Sequence, residues 1–162
     1  MKKILLLISI ILTSTSLYAN RMTEAGYLEK ISQYHENGIE MSKLALNKSK
    51  NKEIEKIAKR NIKEQTKELK KIDKLRSTIY SDVIVTKSGN NIQKLGELQN
   101  RSGKEFDKMY LEMMAKHHRS EILMTSKILP ELNRDEVHHI AVKIVKNKGN
   151  EIEKIEKIKN SL

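Results

Sequence analysis

Tyr110-Leu111-Glu112-Met113-Met114-Ala115-Lys116-His117-His118-Arg119-Ser120-Glu121-Ile122-Leu123-Met124 reads as one helix, and the chain carries the pattern twice. Phe106, Met109, Tyr110, Met113, Met114, His117, Glu121, Met124 and Ile128 recur at three- and four-residue steps, which is a helical face. Shifted by 83 residues, the chain matches itself without a gap, Tyr27 to Arg76 against Tyr110 to Lys159. Tyr27-Leu28-Glu29 returns as Tyr110-Leu111-Glu112, His35 as His118, Ile39 as Ile122 and Met41 as Met124. Leu46 returns as Leu129, Ile57-Ala58 as Ile140-Ala141, Glu68 as Glu151 and Lys71-Ile72 as Lys154-Ile155. Lysine-rich helices match by chance, so the shared His and Met at a fixed spacing carry more weight than the charges.

Each repeat reads as two helices. In the second, Pro130 closes the first helix, because proline cannot continue the hydrogen-bond ladder. Asn133-Arg134-Asp135 makes a turn, and Asp135 is expected to cap the helix that follows through Val137, Ile140, Ala141, Ile144, Val145, Ile152 and Ile155. The first repeat places Leu28, Ile31, Tyr34, Ile39 and Met41 on one helix. After a turn near Asn47 to Asn51, a second helix carries Ile54, Ile57, Ala58, Ile62, Leu69, Ile72 and Leu75. Between the repeats lie residues 77–104, with Gly89, Gly96 and Gly103. Val83-Ile84-Val85 is strand-like but has no sheet to join. So long a connection suits a crossover between two hairpins, as in ferritin-like bundles. The expected fold is therefore all-α: a ferritin-like four-helix bundle of repeat one (27–76), linker (77–104) and repeat two (105–159). Its core would be mostly Ile and Leu, with Met and His on the first and third helices.

The N-terminus belongs outside that core. Met1-Lys2-Lys3 is a basic start, Ile4 to Leu12 is apolar except for Ser9, and Thr13 to Ser16 turns polar. Ala19 suits the residue before a cut. Residues 1–19 therefore read as a secretory signal peptide, and residues 20–162 as the exported domain, periplasmic or secreted. The apolar run is short for a membrane span, and no cysteine is present to carry a lipid. No stable membrane anchor is expected after cleavage. Losing residues 1–19 removes Lys2 and Lys3 and no acid, so the formal charge falls from +11 to +9. The lysines alternate with glutamates, as in Lys52-Glu53-Ile54-Glu55-Lys56, which describes solvated helix faces with i,i+4 pairing. With one Phe and no Trp, the chain lacks a platform for stacking bases, and nucleic acid is not an expected partner.

The chemistry is concentrated in the quoted helix. Four methionines (Met109, Met113, Met114, Met124) and two of the five histidines fall between Glu105 and Leu129. Thioether and imidazole together suit Cu(I), since soft sulfur favours soft ions. The plain alternative is that a Met stripe at helical spacing is simply core. At 100° per residue, Met113, His117 and Met124 lie within about 40° of one another, which puts His117 near the middle of the apolar face. Glu121 or Tyr34 could satisfy that histidine. In the first repeat Lys30, Ile31, Tyr34 and Gly38 replace Met113, Met114, His117 and Glu121, while His35 and Met41 remain. If the two helices face each other, His35 and Met41 can add to the same site. His138 and His139 read as surface residues. Glu136 to His139 has Glu-x-x-His spacing but no second copy, against a di-iron centre. No nucleophile elbow or phosphate-cradling loop occurs.

Met113-Met114-Ala115-Lys116-His117-His118, followed by Ile122 and Met124, resembles the exported ferritin-like family known as domain of unknown function 305. That family's hallmark is Met-Met-x-x-His-His-x-x-Ala-Ile-x-Met, often duplicated. Its second helix carries Ile-x-x-x-Gln-x-x-Glu-Ile, echoed here by Gln65, Glu68 and Leu69. The resemblance covers about Tyr27 to Lys159. It implies a four-helix bundle outside the cytoplasm and, for some members, copper binding and copper resistance. The chain departs from the pattern at Glu121, where Ala is usual, at Tyr34-His35, and at Lys148, where Gln is usual.

The leading reading is a non-enzymatic, exported metal-binding protein that sequesters or carries copper in the cell envelope. Its ligands would be drawn from His117, His118, Met113, Met114 and Met124, with His35 and Met41 from the facing helix. The rivals are a metal-free helical module acting through protein contacts, and a ferritin-like oxidoreductase.

Overall fold

The computed structural model describes residues 2–86 and 93–162, with side chains from residue 17 to 86 and from residue 95 onward. Its helices are α1 (Lys2–Lys48), α2 (Lys52–Ile79), α3 (Gln93–Gln99), α4 (Gly103–Ile128) and α5 (Asp135–Lys159), with a 3-10 turn at Leu129–Glu131. No strand occurs among the described residues. α1 packs on α2 and α4 on α5, and the two hairpins join through α1 and α4. This is the expected all-α, ferritin-like four-helix bundle, and the two Met- and His-bearing helices do face each other.

Local signals set the boundaries. Asn51 ends the first turn and caps α2, its side chain accepting from Glu53 N at 2.9 Å and Ile54 N at 3.4 Å, a cap worth about 1 kcal/mol. Glu53 and Glu55 stand in the first turn and Arg76 in the last, the signs the helix dipole favours. Pro130 sits in the 3-10 turn that follows α4. The expected cap of α5 is different in kind. Asp135 is already helical, Arg134 holds the cap position without a side-chain bond, and Glu24 of α1 fixes the turn that leads into the helix. Glu24 Oε1 accepts from Asn133 N at 2.9 Å and Arg134 N at 2.7 Å. Its other oxygen takes the Tyr80 hydroxyl at 2.7 Å. A buried carboxylate reaching from α1 thus ties the turn before α5 to the crossover.

The crossover is shorter than residues 77–104 and is tied to the bundle at both ends. α2 runs on to Ile79 and α4 starts at Gly103. Tyr80 is buried, and Leu98 of α3 is fully buried against Phe106 and Ile54. Arg21 donates to Ile79 O at 3.0 Å and pairs with Asp82. Lys48 donates to Arg101 O at 3.1 Å. Val83 and Val85 pack on the core while Ile84 stands in solvent, so this run is an irregular anchored segment rather than a strand. Gly89 lies outside the described residues.

The interior falls into two apolar clusters with a polar layer between them. One cluster holds Met41, Ala45, Ile54, Phe106, Leu111 and Met114. The other holds Leu28, Ile31, Ile72, Val137, Ala141 and Ile144. Between them, the buried stripe of α2 turns polar at Asn61, Gln65 and Glu68, and that of α5 at Lys148 and Glu151. Tyr27 OH meets Thr125 Oγ1 at 3.4 Å, and Tyr110 OH meets Ser42 Oγ at 3.3 Å. These two contacts exchange under the 83-residue shift, so α1 and α4 cross about a local two-fold near the polar layer.

Glu24→Ala should lower stability by about 2 kcal/mol, because it strips partners from two backbone amides and a buried phenol. Urea unfolding of the chain starting at Asn20 measures this, with Asp135→Ala as the control expected to change little.

Candidate metal centre

α4 presents its buried face through Tyr110, Leu111, Met114, Ala115, His118, Glu121 and Thr125. His118, not His117, is therefore central, and His118 and Glu121 are fully buried. His117, Met113 and Met124 flank this face and are partly buried. Glu121 was expected on this face and lies there; the face was centred on His117 because the count followed the apolar Met113 and Met124, while the polar Thr125 and His118 hold the inward positions.

The polar layer is built on a chain of carboxylates and imidazoles across all four long helices. His35 Nε2 lies 3.1 Å from Glu68 Oε2, and His35 Nδ1 lies 3.3 Å from Glu121 Oε1. On the other side, His118 Nδ1 is 3.9 Å from Glu121 Oε2, and His118 Nε2 is 2.8 Å from Glu151 Oε2. The order is Glu68, His35, Glu121, His118, Glu151, with Glu121 in the middle. The outer pairs, His35 with Glu68 and His118 with Glu151, correspond under the 83-residue shift.

Charge explains how such a layer is kept. A neutral imidazole has one N–H, so His35, with a carboxylate at each nitrogen, is best satisfied as the imidazolium. Burial alone would lower its pKa, but the bonds to Glu121 and Glu68 outweigh it and raise it. Burial would likewise raise Glu121; the bond to His35 and the charges of Lys148 and His35 instead bring it down to about 2. Glu68 and Glu151 are also held below the ordinary range against their burial, by His35 and by His118 with Lys148 respectively. Lys148, donating to Glu151 at 3.2 Å, stays cationic because Glu121, Glu151 and Glu68 outweigh its desolvation.

His117 differs from His35 and His118 in having no carboxylate at ion-pair distance among the described residues. Its ring lies 5.3 Å from that of Tyr34 and 5.8 Å from that of His118, and its buried Nε2 has neither a hydrogen bond nor an ion-pair partner. Burial pushes its pKa down to about 4, which leaves a neutral imidazole at ordinary pH. His117, His118 and Glu121 each offer a ligand atom within 4.8 Å of the others. Two nitrogens and a carboxylate oxygen suit a borderline ion such as Cu(II) or Zn(II). A softer ion would draw on Met113 and Met114, one helical turn back on the same sides as His117 and His118.

The other expected ligands are spread out. Met41 and Met114 share one apolar cluster with Met113 beside it, whereas Met124 packs on the other. Met113 and Met124 are eleven residues apart, roughly 16 Å along a helix, too far to hold one ion. His35 is committed to Glu68 and Glu121. His138 and His139 are exposed, as expected. Glu68, Glu151 and Lys148 were not among the expected site residues. Their signal was positional: each continues the three- and four-residue step of the apolar face on its helix.

The family model for domain of unknown function DUF305 matches residues 24–159. The chain belongs to the DUF305 family. Among solved structures, CopM in its Cu(I)-bound form is similar at 21% identity and a TM-score of 0.74, covering 85% of this chain and 96% of CopM. A DUF305 fragment from Deinococcus radiodurans is similar at 18% identity and a TM-score of 0.78, covering 86% and 97%. A DUF305 protein from Streptomyces coelicolor, provisionally described as secreted, is similar at 16% identity and a TM-score of 0.75, covering 84% and 91%. No curated protein matches the chain. At these identities the likeness is one of fold.

This DUF305 domain should lose stability in acid in two stages. His117 is depressed from 6.5 to about 4, so its contribution is complete above about 6.5 and is lost as pH falls towards 4. The depressed carboxylates Glu68, Glu121 and Glu151 contribute above the ordinary carboxylate range and lose that contribution below it. His35, being raised, loses its share only as pH climbs through its folded value. Urea midpoints should therefore fall between pH 6.5 and 4, then more steeply. His117→Gln should flatten the first stage and leave the second.

Proposed function

We propose that this chain is an exported copper-binding protein that sequesters or carries copper in the cell envelope. The observation that carries the reading is the unpartnered, buried Nε2 of His117 beside His118 and Glu121. A buried imidazole nitrogen without a hydrogen bond is costly unless it gains a ligand. Copper would be cargo: His117 and His118 hold it through nitrogen, and Met113 and Met114 add sulfur when it is Cu(I). Glu151, 2.8 Å from His118 Nε2, orients that ring, and Glu121 balances charge as a supporting group. Met41 lies within the same half of the bundle as Met114. Met124 and His35 are left to packing and to the carboxylate chain.

Similar folds support the reading, since CopM has been solved with Cu(I), Cu(II) and Ag bound. Export is supported by the N-terminal composition and by the burial pattern. Leu17 and Tyr18 are exposed, and the first buried residues among those whose side chains are described are Glu24 and Ala25, so cleavage after Ala19 removes no described core residue. Duplication is supported by the reciprocal Tyr27–Thr125 and Tyr110–Ser42 contacts.

Competition titration of the chain starting at Asn20 with Cu(I), under reducing conditions, tests the reading. Wild-type protein should take up Cu(I), and the His117→Ala, His118→Ala double variant should not. Met113→Leu and Met114→Leu should each weaken binding about tenfold or more while leaving the fold intact. Equal uptake by wild type and the double variant contradicts copper binding here, and unaltered affinity in both Leu variants contradicts the sulfur ligands.

A further inference from the structure

α2 carries eight lysines, and seven of them, Lys52, Lys56, Lys59, Lys63, Lys67, Lys70 and Lys74, recur at steps of four and three residues. At 100° per residue they lie within about 80° of one another, and from Lys52 to Lys74 every residue in that sector is lysine. The sector is opposite the buried stripe that holds Ile54, Asn61, Gln65 and Ile72, and all seven lysines are exposed. It runs about 33 Å along the helix.

The fold does not require this uniformity. At the positions that correspond under the 83-residue shift, α5 carries Asp135, His139, Val142, Lys146, Asn150, Glu153 and Lys157, in which two acids balance two lysines. Like charges at four-residue steps repel, so the lysine stripe costs α2 stability. Near its start Glu53 and Glu55 offset the cost by pairing with Lys56, Lys52 and Lys59. Farther along, the carboxylates are drawn inward. Glu68 is turned into the polar layer against His35, and Glu64 is partly buried. Lys63, Lys67, Lys70 and Lys74 have no ion pair among the described residues. The pairing expected of the lysines therefore holds only for the first turns of α2.

A row of one sign, held straight by a helix, finds its complement on an extended anionic surface. The sector has no apolar or aromatic side chain, whereas a stable protein interface needs an apolar core and single-stranded nucleic acid needs a stacking platform. Lysine is a hydrated point charge without the planar fork that selects one phosphate or carboxylate, which suits a layer of many headgroups. The formal charge of +9 without residues 1–19 acts in the same direction. We propose that the outward lysine stripe of α2 is an electrostatic docking face for anionic phospholipid, on which the bundle rests reversibly with α2 along the membrane surface. This rests on the envelope location in the proposed function and not on copper.

Co-sedimentation of the metal-free chain starting at Asn20 with lipid vesicles is the test. The chain should bind phosphatidylcholine vesicles that contain about 30 mol% phosphatidylglycerol and not vesicles of phosphatidylcholine alone. Raising the salt from about 0.05 M to about 0.5 M should release it. The Lys63→Gln, Lys67→Gln, Lys70→Gln, Lys74→Gln variant should bind about a hundredfold more weakly or less still, at about fivefold per lysine. A control of equal charge, Lys108→Gln, Lys127→Gln, Lys146→Gln, Lys157→Gln, removes exposed lysines of α4 and α5 and should lose less than about tenfold. All eight positions are exposed, so both variants should keep the helix content and melting of the wild type. Absence of binding to the phosphatidylglycerol vesicles, equal losses in the two variants, or binding that persists in high salt overturns the proposal. Retention on heparin without binding to vesicles assigns the stripe to another polyanion and overturns it too. Vesicle binding is read without copper, and Cu(I) uptake without vesicles, so the two readings fail separately.

Discussion

Glu121 sits between two imidazoles at the centre of the bundle, and the arrangement of the interior follows from keeping it charged there. A buried carboxylate is tolerated only when charge and hydrogen bonds replace the water it loses. His35 and Lys148 supply the charge, and His118 closes the other side. Glu68 and Glu151 then become necessary, since each imidazole must also satisfy its far nitrogen. The layer divides the core in two, and the apolar clusters on either side seal it from solvent.

That division decides where chemistry is available. Within the layer His35 has a carboxylate within 3.3 Å of each nitrogen, which makes it a structural cation rather than a free ligand, whereas His118 Nδ1 stands 3.9 Å from Glu121. At its margin His117 lies beyond the chain, pressed against Tyr34, neutral, with an unpartnered nitrogen. The sulfurs of Met113 and Met114 lie one turn away along α4, which makes this edge the place where a soft ion and its harder congeners can both find ligands.

Much of this could be read from the sequence, and the gaps have physical causes. The helical hairpins and the all-α bundle followed from periodicity, while the facing of the two Met- and His-bearing helices was only a condition in the sequence, because periodicity does not fix which faces meet. The middle of the inward face of α4 was placed at His117 rather than His118, because polar His118 and Thr125 occupy core positions that an apolar count gives to Met113 and Met124. In helices so rich in charge, Glu68, Lys148 and Glu151 look like any solvated pair; only their register with Ile54, Ile57 and Ile72, or with Val137, Ala141 and Ile144, marks them as buried. Glu24 as the anchor of the turn before α5 had no local signal, because its partners Asn133 and Arg134 are over one hundred residues away. The buried Leu98 of α3 was hidden in a linker whose length suggested only a crossover.

The most direct measurement is a crystal structure of the chain starting at Asn20 loaded with copper. The account predicts an ion bonded to His117 or His118 on the outer side of α4, with Lys148 still against Glu151 and Glu121 still between His35 and His118. An ion at the centre of the layer with Lys148 displaced, or one held by His138 and His139 alone, would contradict it.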